Sequence, residues 1–243
     1  MKDIPVVILA GGKGMRMRDY SENIPKALVQ IGPYPVILHV MKIYAKYGVR
    51  KFILSLGYKS EMIREFFDKN PQEGMDVECV DTGLETQTGG RVKLAANHID
   101  AEDFFVTYCD GLSDISIGDL YSFHKKHSKI GTMSAVHPMS PFGMVEINGG
   151  GLVESFREKP FLKDYINGGF FVFSRRFLDY VAPEDVLEEA PMRKLVQEKQ
   201  LAAYRHEGFW TCMDTFKDVD RLNSLWYGGE MTHMGYKGKV PWL

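Results

Sequence analysis

The sequence predicts an α/β protein with a doubly wound, mainly parallel sheet that is flanked by helices and carries one β-hairpin insertion. Apolar strands and amphipathic helices alternate over about residues 1–136, and such alternation packs helices on both faces of parallel strands. Residues 5–10 are continuously apolar and end in glycines, as in a strand that is buried on both faces. Residues 143–158 instead show the short, turn-rich pattern of a hairpin.

The other elements follow from the same periodicities. Helices are predicted where apolar residues share one helical face, and strands where short apolar runs end in turn residues. The predicted helices cover 35–47, 61–69, 91–98, 117–127, 176–181, 191–199 and 219–225, and the predicted strands cover 51–57, 75–80, 104–109, 132–137, 166–174 and 201–206. A turn at 148–151 closes the hairpin, and residues 227–243 receive no assignment.

The size and uniformity of the chain predict a single domain over residues 1–243. Its 243 residues are 44% hydrophobic, which suffices for a core without disulfides or metals. No linker, repeat or low-complexity segment divides the chain. We expect two halves within the domain, about 1–136 and about 137–226, followed by a tail over 227–243.

Composition argues against several functional classes. The chain has 30 Lys and Arg against 32 Asp and Glu, with no basic block, so no nucleic-acid partner is expected. It shows neither an apolar run long enough to span a bilayer nor the pattern of a signal peptide, so no membrane partner is expected. Cys79, Cys109 and Cys212 form no CxxC pair, which favours a reducing cytoplasm over a disulfide framework or a zinc site.

The first candidate site is Gly11-Gly12-Lys13-Gly14-Met15-Arg16, directly after the first strand. Glycines let backbone N–H groups approach a phosphate closely, and a nearby Lys or Arg supplies the opposing charge. Met17 stands where a dinucleotide fingerprint needs its third glycine, and the P-loop ending is absent. Phosphate binding and a plain glycine turn are both open on this pattern. Lys26, rigidified by the preceding Pro25, is a second cation within reach of the loop.

Two aspartates are candidate Mg²⁺ ligands. Asp110 directly follows a predicted strand, where ligands gather in open α/β sheets, and Asp214 precedes a predicted helix. Mg²⁺ takes one or two protein carboxylates and otherwise binds waters and phosphates. Either aspartate alone could equally cap a turn or a helix, so only the pair indicates a metal site. Asp114 is predicted to be a helix cap.

Two motifs that follow the hairpin suit a phosphorylated sugar. Lys159, fixed before Pro160, could neutralise a phosphate, and Glu158 and Asn167 next to glycines suit sugar hydroxyls. Each motif alone is a weak signal, because Glu-Lys-Pro turns are common on protein surfaces. A pair of histidines three positions apart, at 124 and 127, is predicted to lie on a solvated helix face rather than to bind a metal.

Taken in order, these segments resemble the sugar-1-phosphate nucleotidyltransferases over roughly residues 4–226. The matching segments are Ile8-Leu9-Ala10-Gly11-Gly12-x-Gly14-x-Arg16, Pro25-Lys26, Asp110-Gly111, Glu158-Lys159-Pro160 and Asn167-Gly168-Gly169-Phe170. The stretches 80–83, 88–91, 110–114 and 208–215 are most similar to the branch that uses CTP and glucose 1-phosphate. The resemblance implies a Rossmann-like, nucleotide-diphospho-sugar transferase fold whose hairpin belongs to a sugar-binding insertion.

The resemblance also implies an activity and a role for each matching residue. The activity is nucleotidyl transfer from a triphosphate to a sugar 1-phosphate, with Mg²⁺ as cofactor and pyrophosphate as the second product, in an enzyme that can form a homo-oligomer. Arg16, Lys26 and Lys159 are then the catalytic cations, and Asp110 and Asp214 hold the metal. The nucleotide binds Leu9, Ala10, Gly11, Gly12, Gly14, Thr88, Gly89, Gly90 and Arg91, and the sugar phosphate binds Tyr108, Gly111, Glu158, Lys159, Asn167 and Gly168.

Two departures from the family pattern leave alternatives. Met15 and Met17 replace a threonine and a leucine, which removes a hydroxyl beside the phosphates, and the segment around Lys26 lacks the first lysine of the usual Lys-Pro-Lys-Pro-Met. The first alternative is the same reaction with another triphosphate or another phosphorylated acceptor. The second is a non-catalytic, nucleotide-sensing subunit that keeps the fold.

Overall fold

Strands and helices alternate along most of the chain, as the sequence predicts. The computed structural model describes residues 1–14, 23–231, 236–237 and 240–243. The strands are β1 (Val6–Leu9), β2 (Gln30–Ile31), β3 (Tyr34–Pro35), β4 (Lys51–Leu56), β5 (Asp76–Asp81), β6 (Asp103–Tyr108), β7 (Gly111–Ser113), β8 (Gly131–Val136), β9 (Met144–Ile147), β10 (Val153–Arg157), β11 (Ile166–Ser174), β12 (Leu201–His206), β13 (Trp210–Cys212), β14 (Glu230–Met231) and β15 (Tyr236–Lys237). The α-helices are α1 (Val36–Ala45), α2 (Ser60–Lys69), α3 (Thr88–Ala95), α4 (Ile117–His127), α5 (Ala190–Gln197) and α6 (Phe216–Trp226), and 3₁₀ helices lie at Lys26–Leu28, Ala96–His98 and Arg175–Tyr180.

A mainly parallel sheet connects the two halves of the sequence. Within the described residues its seven strands run in the order β12-β8-β11-β6-β1-β4-β5. β11 alone is antiparallel to both of its neighbours, whereas the other adjacent pairs are parallel. The predicted fold class is confirmed. The carboxyl ends of β1, β4, β5 and β6 therefore lie at one edge of the sheet, together with the beginning of β11.

Alternation of side chains in β1 explains its continuously apolar sequence. Val6 and Ile8 pack into the core on one face of the sheet, together with α1, α4 and α6. Val7 and Leu9 pack into the core on the other face, together with α3 and α5. Successive residues of a strand point to opposite faces, so a strand that is covered on both sides needs apolar residues at every position. Among the described helices, none is both long and apolar enough to cross a membrane.

The start of α3 differs from its prediction. The helix begins at Thr88 and not at Arg91, although two glycines lie in its first turn. The N–H groups of Gly89 and Gly90 donate to the carbonyl of Asp185, at 2.9 and 3.3 Å. A distant carbonyl thus satisfies helix N–H groups that a local cap would otherwise serve. Helix propensity does not reveal such a tertiary partner.

Other predicted elements are confirmed, with differences where the element is short. β9 and β10 form the predicted hairpin, in which Gly151 N donates to Asn148 O across the predicted turn. The segment predicted as a helix at 176–181 is a 3₁₀ helix. The two-stranded sheets β2–β3, β7–β13 and β14–β15 were not predicted, because strands of two or three residues are too short to show a periodicity.

His124 contradicts the predicted solvated helix face. Its side chain is buried between α4 and the sheet, with Nδ1 2.8 Å from Thr132 Oγ1 and Nε2 3.8 Å from Asp103 Oδ1. Burial lowers the pKa of His124 to about 4, despite the opposing effect of the Asp103 charge. The histidine is therefore neutral in the folded protein at neutral pH, and it belongs to the packing of α4 onto β8.

We expect the burial of His124 to make folding sensitive to mild acid. Below its ordinary value of 6.5 the histidine is protonated in the unfolded chain but stays neutral in the folded one. The free energy of unfolding should therefore fall as the pH drops from about 6.5 to about 4, by up to ~1.4 kcal/mol per pH unit from this group. Urea unfolding at several pH values should give a shallower dependence for His124→Gln. The matched control is His98→Gln, at an exposed histidine, and an unchanged slope in His124→Gln would contradict the assignment.

Candidate active site

A cleft of about 400 Å³ opens at the carboxyl ends of β1 and β6. One wall is the glycine loop that follows β1, and the opposite wall is the segment from Leu84 to Thr88. The cleft brings together many of the residues that the sequence predicted, namely Leu9, Ala10, Gly11, Gly12, Gly14, Lys26, Thr88, Arg91, Tyr108 and Asp110. Arg16, together with Met15 and Met17, lies outside the described residues, so its predicted catalytic role stays a prediction.

Lys26 joins the two candidate metal ligands. Its Nζ lies 2.5 Å from Asp110 Oδ2 and 2.6 Å from Asp214 Oδ1, and its side chain is only 13% exposed. Burial alone would lower the pKa of Lys26, but the charges of Asp110 and Asp214 and their hydrogen bonds outweigh burial, so that the pKa is raised. The lysine is therefore a permanent cation that holds two carboxylates from distant segments around one point.

Short elements outside the main sheet bring the two aspartates together. Asp110 lies two residues after the end of β6 and directly before β7, and in the β7–β13 pair Gly111 lies opposite Cys212. The backbone N–H of Met213 donates to Asp110 O at 3.0 Å. This ladder fixes Asp214, two residues after Cys212, beside the end of β6. Gly111 thus lies in the strand that positions the acidic pair, and its predicted contact with the sugar phosphate stays a prediction.

Neither Asp214 nor Asp114 is the N-cap of a helix. The N-cap of α6 is Thr215, whose hydroxyl and backbone are bonded to Asp218 in a capping box, so the alternative of Asp214 as cap is excluded. The prediction for Asp114 is wrong, because Ser116 caps α4. Asp114 Oδ1 instead lies 2.9 Å from His206 Nε2, in an ion pair or a hydrogen bond between β7 and β12.

Arg91 connects the two walls of the cleft from below the surface. Its buried guanidinium donates to the carbonyl oxygens of Gly11 at 3.2 Å, Leu56 at 2.9 Å and Leu84 at 3.1 Å, and to Thr82 Oγ1 at 2.7 Å. Burial lowers the pKa of Arg91 relative to its ordinary value. These donors are directed at the protein backbone and a hydroxyl, so the geometry assigns Arg91 to positioning the loops; direct nucleotide contact stays a prediction.

The rest of the predicted Thr88–Arg91 set divides between the cleft and the core. The Thr88 hydroxyl donates to Glu188 Oε2 at 3.2 Å and accepts from Leu187 N at 2.8 Å, at the cleft wall. Gly89 and Gly90 are buried against the backbone of residues 183 and 185, where a side chain would not fit. They are not among the residues that line the cleft, and their predicted contact with the nucleotide is not tested.

Of the six predicted sugar-site residues, all of which the structure describes, Tyr108 alone lines this cleft. Asn167 lines an adjoining cavity of about 490 Å³, and the contact between Thr88 and Glu188 lies between the two cavities. Gly169 N donates to Asn167 Oδ1 at 2.9 Å, which orients the side-chain amide. Trp210 Nε1 donates to Gly168 O at 2.7 Å and anchors the backbone of the motif.

The remaining predicted sugar-site side chains are those of Tyr108, Glu158 and Lys159. The ring of Tyr108 occupies the space where a Cβ of Gly169 would lie, and Gly169 has a φ of +79°; both facts require glycine there. Glu158 and Lys159 lie at the base of the hairpin, half exposed, with Lys159 Nζ 3.9 Å from Glu158 Oε1. They are not among the residues lining either cavity, so their sugar-phosphate role stays a prediction.

Sequence reasoning missed the segment 84–87, although it forms a whole wall of the cleft. Glu85 Oε1 accepts from Lys13 Nζ at 2.6 Å, an exposed ion pair between this wall and the glycine loop. Only its position could have indicated a role in binding, because the segment follows β5 at the carboxyl edge of the sheet, where ligands bind. No residue of the segment carries a motif that would single it out.

The thiols beside the acidic pair are unsuited to nucleophilic catalysis. Burial, aided by the charge of Asp110, raises the pKa of Cys109 to about 12. Burial and the neighbouring charge of Asp214 raise the pKa of Cys212 to about 12. Both thiols are therefore protonated at neutral pH, and a thiol is a weak nucleophile compared with its thiolate. Cys109 is the buried strand-end residue that the sequence predicted.

The acidic pair suits a hard divalent cation. In the part of the chain that the structure describes, no group of three or more His, Cys, Asp or Glu side chains could enclose a metal ion. Two carboxylates around one cation are instead the set that Mg²⁺ accepts, because it keeps waters and takes phosphate oxygens for its other positions. The donor set therefore fits the predicted cofactor, and Mg²⁺ binding by Asp110 and Asp214 stays a prediction.

The dependence of the glycine loop on Arg91 gives a stability prediction. A Cβ on Gly11 would overlap the Arg91 guanidinium, whereas a Cβ on Gly12 would meet no atom within 4 Å. Gly11→Ala should therefore displace the guanidinium from buried carbonyls and lower the free energy of unfolding by about 2 kcal/mol or more. Gly12→Ala, the matched control, should unfold like the wild type. Equal urea midpoints for the two variants would contradict the proposed packing.

Comparisons with known proteins agree with this arrangement. A family model described as nucleotidyl transferase matches residues 5–233. A probable glucose-1-phosphate cytidylyltransferase of Bacillus subtilis is 38% identical, over 92% of this chain and 96% of the relative. A glucose-1-phosphate cytidylyltransferase of Salmonella typhimurium is 37% identical, over 97% of each chain.

A solved structure shows the same fold. HddC from Yersinia pseudotuberculosis, in a complex with GMP-PN, superimposes with a TM-score of 0.72 at 23% identity, covering 91% of this chain and 98% of that chain. At 23% identity this structure shows the fold alone, whereas the sequence relatives also show the family. The chain belongs to the nucleotidyl transferase family, and the predicted resemblance to the sugar-1-phosphate nucleotidyltransferases is confirmed.

Proposed function

We propose that this chain is a Mg²⁺-dependent enzyme that transfers a cytidylyl group from CTP to glucose 1-phosphate and releases pyrophosphate. The observation that carries the proposal is the placement of Lys26 between Asp110 and Asp214 beside a glycine-lined cleft. The choice of CTP and glucose 1-phosphate is supported by the two relatives with that name, each of which aligns over more than nine-tenths of this chain.

The reaction needs positioned charges rather than a protein nucleophile. A phosphate oxygen of glucose 1-phosphate attacks the α-phosphorus of CTP, a new P–O bond forms, and the bond to the β-phosphate oxygen breaks. Pyrophosphate leaves in line with the electron pair of that bond. The attacking oxygen is already anionic, so no side chain has to remove a proton. The chain contributes by bringing two polyanions together and by neutralising them.

Each part of the cleft supplies one of these contributions. The backbone N–H groups of Gly11, Gly12 and Gly14 face a triphosphate along the loop, in the way that glycine loops cradle phosphates. Lys26 neutralises the phosphates as they approach and the pyrophosphate as it departs. Asp110 and Asp214 would hold Mg²⁺, which when bound neutralises oxygens of both substrates.

The acceptor half of the reaction falls to the predicted sugar-site residues, of which Asn167 lines the second cavity and Tyr108 lines the cleft. The Asn167 side chain is oriented by the hydrogen bond that its Oδ1 accepts from Gly169 N, and we expect its amide nitrogen to serve a sugar hydroxyl. Tyr108 lies between the cleft and the Gly169 backbone. Lys159, at the base of the hairpin, is the cation for the sugar phosphate, and Glu158 beside it suits a hydroxyl.

The sensing alternative requires fewer charged groups than the structure brings together. A subunit that only binds a nucleotide has no need of two carboxylates converging on one buried lysine. The alternative of another triphosphate or another acceptor, which rests on Met15 and the altered segment around Lys26, concerns the substrates and not the reaction class. A substrate panel separates these readings.

We expect pyrophosphate release to be fastest with CTP and glucose 1-phosphate. The panel consists of the four ribonucleoside triphosphates and dTTP, each combined with glucose 1-phosphate, mannose 1-phosphate and N-acetylglucosamine 1-phosphate, in the presence of Mg²⁺. The preferred pair should exceed every other by at least about tenfold in kcat/KM, which equals ~1.4 kcal/mol of discrimination. A different preferred pair would overturn the substrate assignment but keep the reaction class. Triphosphate binding without turnover of any pair would favour the sensing alternative.

Loss of one carboxylate of the acidic pair should abolish turnover without unfolding the protein. Asp110→Asn keeps the shape of the side chain but removes the charge that a metal needs, so kcat should fall at least about 100-fold. The matched control is Asp114→Asn, because Asp114 lies just after β7 and contacts His206 instead. Circular dichroism and the melting temperature should show both variants folded. Near-wild-type activity of Asp110→Asn would refute the metal assignment.

A further inference from the structure

We infer that Lys26 closes the metal site until the nucleotide arrives, so that a divalent cation binds tightly only together with the triphosphate. The inference rests on the proposed function, because it concerns the same acidic pair. It goes beyond that function by assigning an order of binding to the site. Lys26 then has two roles. It binds the phosphates when the nucleotide is present, and it occupies the metal position as the counter-ion of both aspartates when the nucleotide is absent.

The geometry places the lysine where the metal ligands point. Its Nζ contacts one oxygen of Asp110 and one of Asp214, at 2.5 and 2.6 Å. A cation bound by these two oxygens would occupy the space that Nζ fills. Lysine and metal therefore compete for these two oxygens, and one of them has to leave before the other can bind both.

The surroundings oppose release of the lysine while the cleft is empty. The side chain is largely buried, and a buried ammonium without an anionic partner is costly. A divalent cation that entered alone would take both carboxylates from Lys26 and would leave such an ammonium behind. A triphosphate in the glycine-lined cleft offers a new anionic partner, because Lys26 itself lines that cleft.

The exchange requires only a side-chain movement. The backbone of Lys26 is fixed in a 3₁₀ helix in which Leu28 N donates to Pro25 O at 2.8 Å and Val29 N donates to Lys26 O at 3.1 Å. Ala27 and Leu28 are buried in the core. The flexible stem of four methylenes can carry the ammonium from the carboxylates to a nearby phosphate while the backbone keeps its place.

Manganese binding measured without turnover tests the inference. Mn²⁺ replaces Mg²⁺ as a spectroscopic probe, and the amplitude of the free-ion signal in electron paramagnetic resonance gives the bound fraction. Wild-type protein should bind Mn²⁺ weakly alone and at least tenfold more tightly with α,β-methylene-CTP, after correction for Mn²⁺ bound by the analogue itself. Lys26→Met, which keeps the length of the side chain without its charge, should bind Mn²⁺ at least tenfold more tightly than wild type in the absence of nucleotide.

Two control variants tie the gain to the acidic pair. Lys13→Met removes a lysine that pairs with Glu85 at the other side of the cleft, and it should bind Mn²⁺ as the wild type does. The double variant Lys26→Met/Asp110→Asn should lose the affinity that Lys26→Met gains. A gain in Lys13→Met equal to that in Lys26→Met would overturn the inference, because a general loss of positive charge would then explain both.

The outcomes separate this inference from the proposed function. Tight Mn²⁺ binding by the wild type alone, or no gain in Lys26→Met, overturns the closed-site inference even if the substrate panel confirms cytidylyl transfer. Failure of every substrate pair in the panel overturns the proposed function. The Mn²⁺ measurements then still decide whether Lys26 closes the acidic pair to a metal. If Lys26→Met does not fold, the wild-type comparison with and without α,β-methylene-CTP decides the question.

Discussion

The convergence of Lys26, Asp110 and Asp214 is the constraint on which the architecture of the site depends. Lys26 and Asp214 are separated by 188 positions in the sequence, so they meet only when the sheet and α6 are in place. The 3₁₀ helix after Pro25 supplies the lysine, the end of β6 supplies Asp110, and the β7–β13 pair supplies Asp214. The two carboxylates would repel each other without the lysine, so the ion pairs also hold the ends of these segments together.

A second buried cation, Arg91, shapes the cleft without needing to touch a ligand. Its guanidinium reaches the glycine loop, the end of β4 and the loop after β5 at once. An arginine presents five N–H donors in a rigid fork, so it can bind several carbonyls that point in different directions, which the single ammonium of a lysine cannot match. The space around it explains why Gly11 and Gly57 lack side chains, since a Cβ at either position would overlap the guanidinium.

The sequence predicted most of the fold, because periodicity reports burial. Strands such as β11 and helices such as α4 coincide with their predictions, since each is long and patterned. Elements that depend on tertiary partners were not predicted with the same accuracy. The first turn of α3 needs the carbonyl of Asp185, and the strands of the β7–β13 pair are too short to show a pattern. His124 is a polar residue that is nevertheless buried, because Thr132 provides a hydrogen-bond partner for its ring.

The sequence predicted those parts of the candidate site in which a charged residue or a glycine motif lies at the end of a strand, and it missed the other parts. Asp110 and the first glycine of the loop lie two residues after the ends of β6 and β1, whereas the wall that contains Glu85 has no motif and was found only in the structure. The lysines of the cleft are already paired with carboxylates of the chain. Lys13 and Lys26 both face carboxylates of the chain, so neither presents an unpaired charge to an incoming phosphate. In the proposed reaction, the backbone N–H groups of the glycine loop receive the phosphates first, and Lys26 then exchanges its carboxylate partners for a phosphate. Because this exchange keeps Lys26 paired with an anion throughout, it avoids an unpaired buried charge.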